Sequence, residues 1–322
     1  MSHVETLGVL AHRGGLIVER PELSIGVVLA VSRPTGLELD LLARRPLDRR
    51  SAPERQADIR AGRFTPPAPR RLLPEHDEGM DLRIAWLDPD GRARWQYGGS
   101  RTSWSGDHYE GVEGPSLRAG LELPPSFDRA SMVFAWPEIG FPETVVALPL
   151  PDRVAAERGE ISVWDAPVDV RPPPGALHTR AHESIFGTAH VETGWIVAGP
   201  RVLHRAGQAV VVLRRLTAIG GILSMEILSV ARGTAARAAH ADAVPRRRPP
   251  FEPGPSIAAV HGSEAIRLTM WTGSIAGGDA DFRCTAEFLF DRPDSDVVTV
   301  LVEWPAAGLP GACVDIPLDQ AR

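Results

Sequence analysis

Between Trp95 and Gly114 the chain concentrates side chains able to grip or transform a ligand. They are Trp95, Tyr97, Arg101 and Trp104, then Asp107, His108, Tyr109 and Glu110. Both tyrosines of the protein lie in this Gly/Ser-rich stretch, with two of its eight tryptophans. Tyr, Trp and Arg bury large area with few rotatable bonds, which suits them to binding sites. Loops on a rigid scaffold are also where binding usually sits. As an enzyme, the stretch would use His108 as base beside Asp107 or Glu110. No Gly-x-Ser-x-Gly elbow, paired-carboxylate signature or phosphate loop accompanies it. The competing structural reading is that these rings cover the open face of a sheet.

Other candidates are weaker. His178 and His182 are spaced to share one helical face, with Glu183 and His190 following, but Pro172 to Gly175 lie just upstream and no His-Glu-x-x-His pattern occurs. Glu75, Asp77, Glu78 and Asp81 read as a solvated acidic loop. Asp88-Pro89-Asp90-Gly91 opens like a calcium loop yet lacks the later ligands, so it reads as a turn. Cys284 and Cys313 match small apolar positions of the first half and read as core. No metal site or other cofactor is expected.

The composition removes several chemistries. Among 322 residues with a net charge of −6 there is no lysine and no asparagine. P-loop, Schiff-base and kinase-type lysines are therefore excluded, as are N-glycosylation sequons. Nine arginines fall between Arg44 and Arg71, and Arg246-Arg247-Arg248 forms a second cluster. The acidic balance and the lack of interleaved aromatics argue against nucleic acid. No apolar run approaches a membrane span, and the N-terminus lacks a signal-peptide pattern. Two cysteines make no disulfide framework, so the expected setting is cytoplasmic, without a membrane partner.

What would position these groups is a repeat. His3-Val4-Glu5-Thr6 returns as His190-Val191-Glu192-Thr193, and Val27-Val28-Leu29 returns as Val211-Val212-Leu213. Glu38 with Ala43-Arg44 returns as Glu226 with Ala231-Arg232, and Leu82 to Trp86 resembles Ile266 to Trp271. Trp136-Pro137, Gly140, Pro142, Val146 and Pro149-Leu150 recur as Trp304-Pro305, Gly308, Pro310, Val314 and Pro317-Leu318 at one constant offset. The ordered set points to an internal duplication. The halves run over residues 1–152 and 190–322, separated by a Pro-rich linker at 153–189 with one strand expected around Ile161 to Trp164. The offset shrinks along the chain, so the first half carries an insertion, placed at 95–114.

Each half reads as β. Val27 to Ser32 and Leu37 to Leu42 flank a Pro/Gly turn, as Ala209 to Leu216 and Ile222 to Val230 flank Gly220-Gly221. Strands at Met132 to Ala135 and Val297 to Glu303 end at Trp-Pro, where proline stops a ladder. Short helices are expected near Pro53 to Arg60 and Thr234 to Ala243. The shared pairs Glu38/Glu226, Arg44/Arg232, Arg83/Arg267 and Glu122/Glu287 are expected to be surface cross-strand ion pairs.

The hairpin Pro34-Thr35-Gly36-Leu37-Glu38 together with Trp136-Pro137-Glu138-Ile139-Gly140-Phe141-Pro142-Glu143-Thr144 resembles a family of uncharacterised bacterial proteins with a Trp-Pro-x-x-Gly-x-Pro closing motif. The resemblance brings no activity. The expectation is an all-β chain of two tandem β-sandwich domains with few short helices. Its expected role is non-enzymatic protein interaction or assembly, by a partner or by self-association. The alternative is a small-molecule or carbohydrate binder, or a hydrolase, centred on 95–110.

Overall fold

The computed structural model describes residues 5–46, 52–62, 72, 82–95, 101–105, 116–175, 177–181, 193–243 and 254–319. It is built almost entirely of antiparallel strands, divided into two compact units. One unit spans residues 10–157. The other joins residues 158–322 to the chain's first nine.

The first unit runs β1 (Val9–Leu10), β2 (Gly15–Arg20), β3 (Leu23–Arg33), β4 (Gly36–Arg44), α1 (Ala52–Arg60), β5 (Arg83–Leu87), β6 (Ala93–Trp95), β7 (Arg101–Ser105), β8 (Ser116–Leu123), β9 (Arg129–Trp136) and β10 (Phe141–Pro149). One sheet is ordered β1-β3-β4-β8-β7, with β2 also on β3, and the other β10-β9-β5-β6. Alternation explains the sandwich. Leu37, Leu39 and Leu41 turn to the same side of β4 and meet Met132, Phe134 and Trp136 of β9 in one buried core.

After α2 (Arg153–Gly159) and β11 (His178–Ala181), the second unit repeats this order. It runs β12 (Trp195–Ala198), β13 (Arg201–Ala206), β14 (Ala209–Ile219), β15 (Ile222–Arg232), α3 (Gly233–Ala243), β16 (Ser256–His261), β17 (Glu264–Arg267), β18 (Met270–Gly277), β19 (Asp281–Asp291), β20 (Val297–Trp304) and β21 (Leu309–Pro317). Its sheets, β12-β14-β15-β19-β18 with β13 on β14 and β11-β17-β16-β20-β21, match the first unit's strand for strand apart from the added β11. Trp136 and Trp304 stand at equivalent corners. Each precedes a 3-10 turn begun by proline and ended by a left-handed glycine, Gly140 or Gly308. Their backbone angles agree closely, φ −145° and ψ 73° against φ −144° and ψ 74°.

The topology corrects the sequence matching at two places. By pairing, β5 corresponds to β16, whereas Ile266 to Trp271 straddles the end of β17 and the start of β18. Short strands with the same apolar-basic alternation are interchangeable by eye, and only their partners tell them apart. Likewise β7 corresponds to β18, so part of the stretch read as an insertion is a strand both units possess. The first unit's extra length lies in its connections, above all the one from β4 to β5.

From residue 158 on, the expected linker belongs to the second unit, while its first residues, 153–157, belong to the first. Val163 and Ala166 are buried against Val202, Val210, Val212 and Val230. Residues Ile161 to Trp164 form turns and a single bridge, Ser162 to Thr6, rather than a strand. Leu7 donates its amide to the Ile161 carbonyl, and Val163 donates to that of Glu5. Glu5 also ion-pairs with Arg232, whose guanidinium lies 4.4 Å over the Trp164 ring. The helix α2 was not anticipated, although Asp152 signals it: its Oδ1 accepts from the Ala155 amide at 2.7 Å, an ordinary N-cap.

Candidate functional site

Of the residues singled out at 95–110, the structure places three and leaves five outside the described residues: Tyr97, Asp107, His108, Tyr109 and Glu110. Trp95 ends β6, opposite Ala85, and packs half-buried against Ala85, Val133 and Ala135 on the sheet face away from the main core. Arg101 and Trp104 lie in β7, at the rungs of Gly120 and Leu117.

The other candidates resolve into structural roles where they are described. His178 begins β11, while His182, Glu183 and His190 fall outside the described residues, as do Glu75, Asp77, Glu78 and Asp81. Among the described residues, no three His, Cys, Asp or Glu side chains converge as a metal site. The Asp88 carboxylate accepts from the amides of Asp90 and Arg92 at 3.0 and 2.9 Å. The Arg92 amide, followed by Arg94, holds its pKa below the usual value, so the oxygens are taken up by their own turn. Both thiols are fully buried, and burial pushes Cys284 up to about 11, which keeps it protonated and unreactive. In the arginine-rich stretch, Arg45 lies 5.1 Å over the Trp136 ring. A small cavity of about 230 Å³ opens between Val260, His261, Phe290 and Ser295, below the size usual for ligand pockets.

Two features of the second unit were not read from the sequence. The first is a buried ionic cluster. Glu226 and Glu287 stand directly opposite each other on β15 and β19, and Arg215 faces Glu226 from β14. Two carboxylates on one rung would repel. Arg215 lies between them, with Nε 3.1 Å from Glu226 and Nη2 2.8 Å from Glu287. Its Nη1 donates to Thr217 and Ser224, and the Ser224 hydroxyl donates to Glu287 at 2.6 Å. Arg214 reaches Glu226 from the side. Arg215, Glu226 and Glu287 are 1%, 3% and 3% exposed, so the expected surface pair is a buried one. The sequence matching was also misplaced by two residues. Counted from the register shift shared by both hairpins, Asp40 stands where Glu226 does and Gly120 where Glu287 does, and Arg118 holds Asp40 instead. The visible signal was Arg214-Arg215 inside an otherwise apolar strand.

The second feature is the outer edge of β18. It is the last strand of its sheet and pairs with β19 alone among the described strands. Its eight residues, Met-Trp-Thr-Gly-Ser-Ile-Ala-Gly, contain no charge and no proline. All but Met270 are exposed, with Trp271 at 36% and Ile275 at 39%, so both faces of the strand are open. Gly273 permits a close approach to β19: a Cβ there would meet the Thr285 carbonyl oxygen at 2.9 Å and the Met270 sulfur at 2.6 Å. Other edges are handled differently. The outer side of β21 exchanges two backbone hydrogen bonds with Arg171, and β7, the counterpart of β18, carries Arg101. Natural sheets blunt their edges with charge, proline or cover. Among the described residues β18 has none of these.

No family model and no curated protein matches the chain. Among solved structures, bovine butyrophilin aligns with 9% identity over 88% of this chain and 92% of its own, at a TM-score of 0.21. A conserved domain protein from Bacillus anthracis aligns with 8% identity over 99% and 94%, also at 0.21. No helix among the described residues is long and apolar enough to cross a membrane.

Proposed function

We propose that this protein is a non-enzymatic interaction or assembly protein, working in the cytoplasm, in which a β-sandwich of duplicated origin presents an open strand edge to a partner chain. One observation carries the reading: β18 offers a row of backbone donors and acceptors, uncharged and open on both faces. Such an edge accepts an added strand, with main-chain hydrogen bonds supplying affinity and alternate side chains supplying selectivity. The matching strand order of the two units and the equivalent Trp-Pro corners support the duplication.

The test is affinity enrichment from the native cell with the tagged wild-type chain and with a Trp271→Arg/Ile275→Arg chain. Two charges on the edge add no bulk to the core, so the fold should persist and the melting temperature should shift by only a few degrees. The partner set is expected to be captured by the wild type and lost by the variant. Equal capture by both chains refutes the edge as the functional surface and leaves 95–110 as the next site.

A further inference from the structure

Pro172, Pro173 and Pro174 follow Arg171 without a break, and with Gly175 they are all exposed. The segment is held on one sheet at both ends. Upstream, Arg171 exchanges two backbone hydrogen bonds with Cys313 on the outer side of β21, and its guanidinium reaches Asp315 at 2.7 Å. Downstream, β11 pairs parallel with β17 and is the strand at the opposite edge of that sheet, β11-β17-β16-β20-β21. The chain therefore passes from one edge of the sheet to the other, and the prolines are the exposed start of that crossing. From their composition, their exposure and the two anchors we infer that residues 171–175 are a pre-shaped polyproline ligand, taken up by a groove of a partner protein lined with tryptophan and tyrosine.

Each proline ring locks φ near about −65°, and a residue that precedes proline is kept out of the helical region. Arg171, Pro172 and Pro173 each precede one, so the run is held in the polyproline II conformation. That helix has roughly three residues per turn, so three consecutive rings point three ways. Pro173 takes the side of the sheet: a Cβ at Gly311 of β21 would lie 3.8 Å from its Cγ. Pro172 and Pro174 are then turned to the two outer sides. The chemistry on offer selects the partner. Three successive residues without an N–H cannot supply a strand ladder, which excludes addition to a sheet edge. None of the three carries a charge, and the guanidinium beside them is engaged by Asp315. What remains is apolar rings with carbonyl oxygens between them. Flat aromatic rings match the first, while indole N–H and phenol O–H groups donate to the second. This is how polyproline segments are recognised, and a ligand anchored at both ends loses less freedom on binding than a loose one. The site is separate from the β18 edge, which offers the N–H groups that this segment lacks.

The test uses immobilised full-length chain, an extract of the native cell and decaproline as competitor. The wild type is expected to retain a protein that decaproline releases and that a Gly-Ser peptide of equal length does not. A Pro172→Ala/Pro174→Ala chain should retain none of it. Both changes fall on exposed residues, and circular dichroism and melting check that the variant is folded. The released protein, once purified, should change its tryptophan fluorescence on titration with a synthetic peptide of residues 169–175. It should bind the full-length chain severalfold more tightly than that peptide. Arg171→Met keeps the three rings and frees one anchor, so it should bring the affinity of the chain down toward that of the peptide. Absence of any protein that decaproline releases, or equal retention by the Pro172→Ala/Pro174→Ala chain, overturns the proposal. Equal affinity for the wild-type chain and the free peptide overturns the pre-shaping. The Trp271→Arg/Ile275→Arg chain should retain the protein as the wild type does, and its loss there would overturn a site separate from the β18 edge.

Discussion

Arg215→Met should destabilise the second unit by about 3–5 kcal/mol, because it leaves Glu226 and Glu287 buried side by side without the cation between them. The side chains are close in length and volume, so little of the loss comes from a cavity. Most of it is the loss of the cation the two carboxylates share in a poorly hydrated place, where Glu226 keeps Arg214 and Glu287 keeps the Ser224 hydroxyl. The cluster is coupled, and that is separately measurable. Glu287→Gln should be costly in the wild-type background and much less so beside Arg215→Met, because its partner is then already gone. Urea unfolding of the four chains closes the cycle. Arg171→Met, which removes an exposed pair with Asp315, is the control and should leave the midpoint nearly unmoved. Additive effects of Arg215→Met and Glu287→Gln would show that the two side chains do not act together.

Trp304→Ala and Trp136→Ala should each cost about 3–5 kcal/mol, and each should melt its own unit first. Both rings are almost wholly buried, at 1% and 3% exposure, on matching corners. Trp304 also packs against Phe282, with ring centroids 5.9 Å apart. Truncation leaves a cavity where the two sheets meet, and the surrounding strands, pinned by their ladders, close it only in part. Calorimetry should show one early transition in each variant, with the other unit's transition retained. A single cooperative transition shifted in both variants would mean that the units do not unfold separately.

Features set by neighbouring residues were legible in the sequence. The Gly220-Gly221 and Pro34-Thr35-Gly36 hairpins and the Trp-Pro corners follow from turn chemistry and period-two alternation, and the helices at 52–60 and 233–243 from the corresponding long connections of the two halves. What was missed depends on partners distant in sequence. Whether Glu226 is exposed depends on Arg215 across one rung and Glu287 across the next. Whether β18 is an edge depends on the order of strands in the sheet. The residues Trp-Thr-Gly-Ser-Ile would make an unremarkable central strand with a neighbour on either side. The same limit explains why 95–110 stands out in the sequence and β18 does not. A cluster of aromatic residues is conspicuous in sequence, whereas an uncharged strand becomes conspicuous only once it has no second partner.

Whether the β18 edge is used can be measured directly. Amide hydrogen exchange over Met270–Gly277, compared at high dilution and at high concentration or with an enriched partner, reads that edge without any substitution. Occupancy of the edge predicts that exchange across β18 slows markedly on association while β20 and β21 stay unchanged. Association that protects other segments and leaves β18 exchanging as in the dilute chain would contradict it.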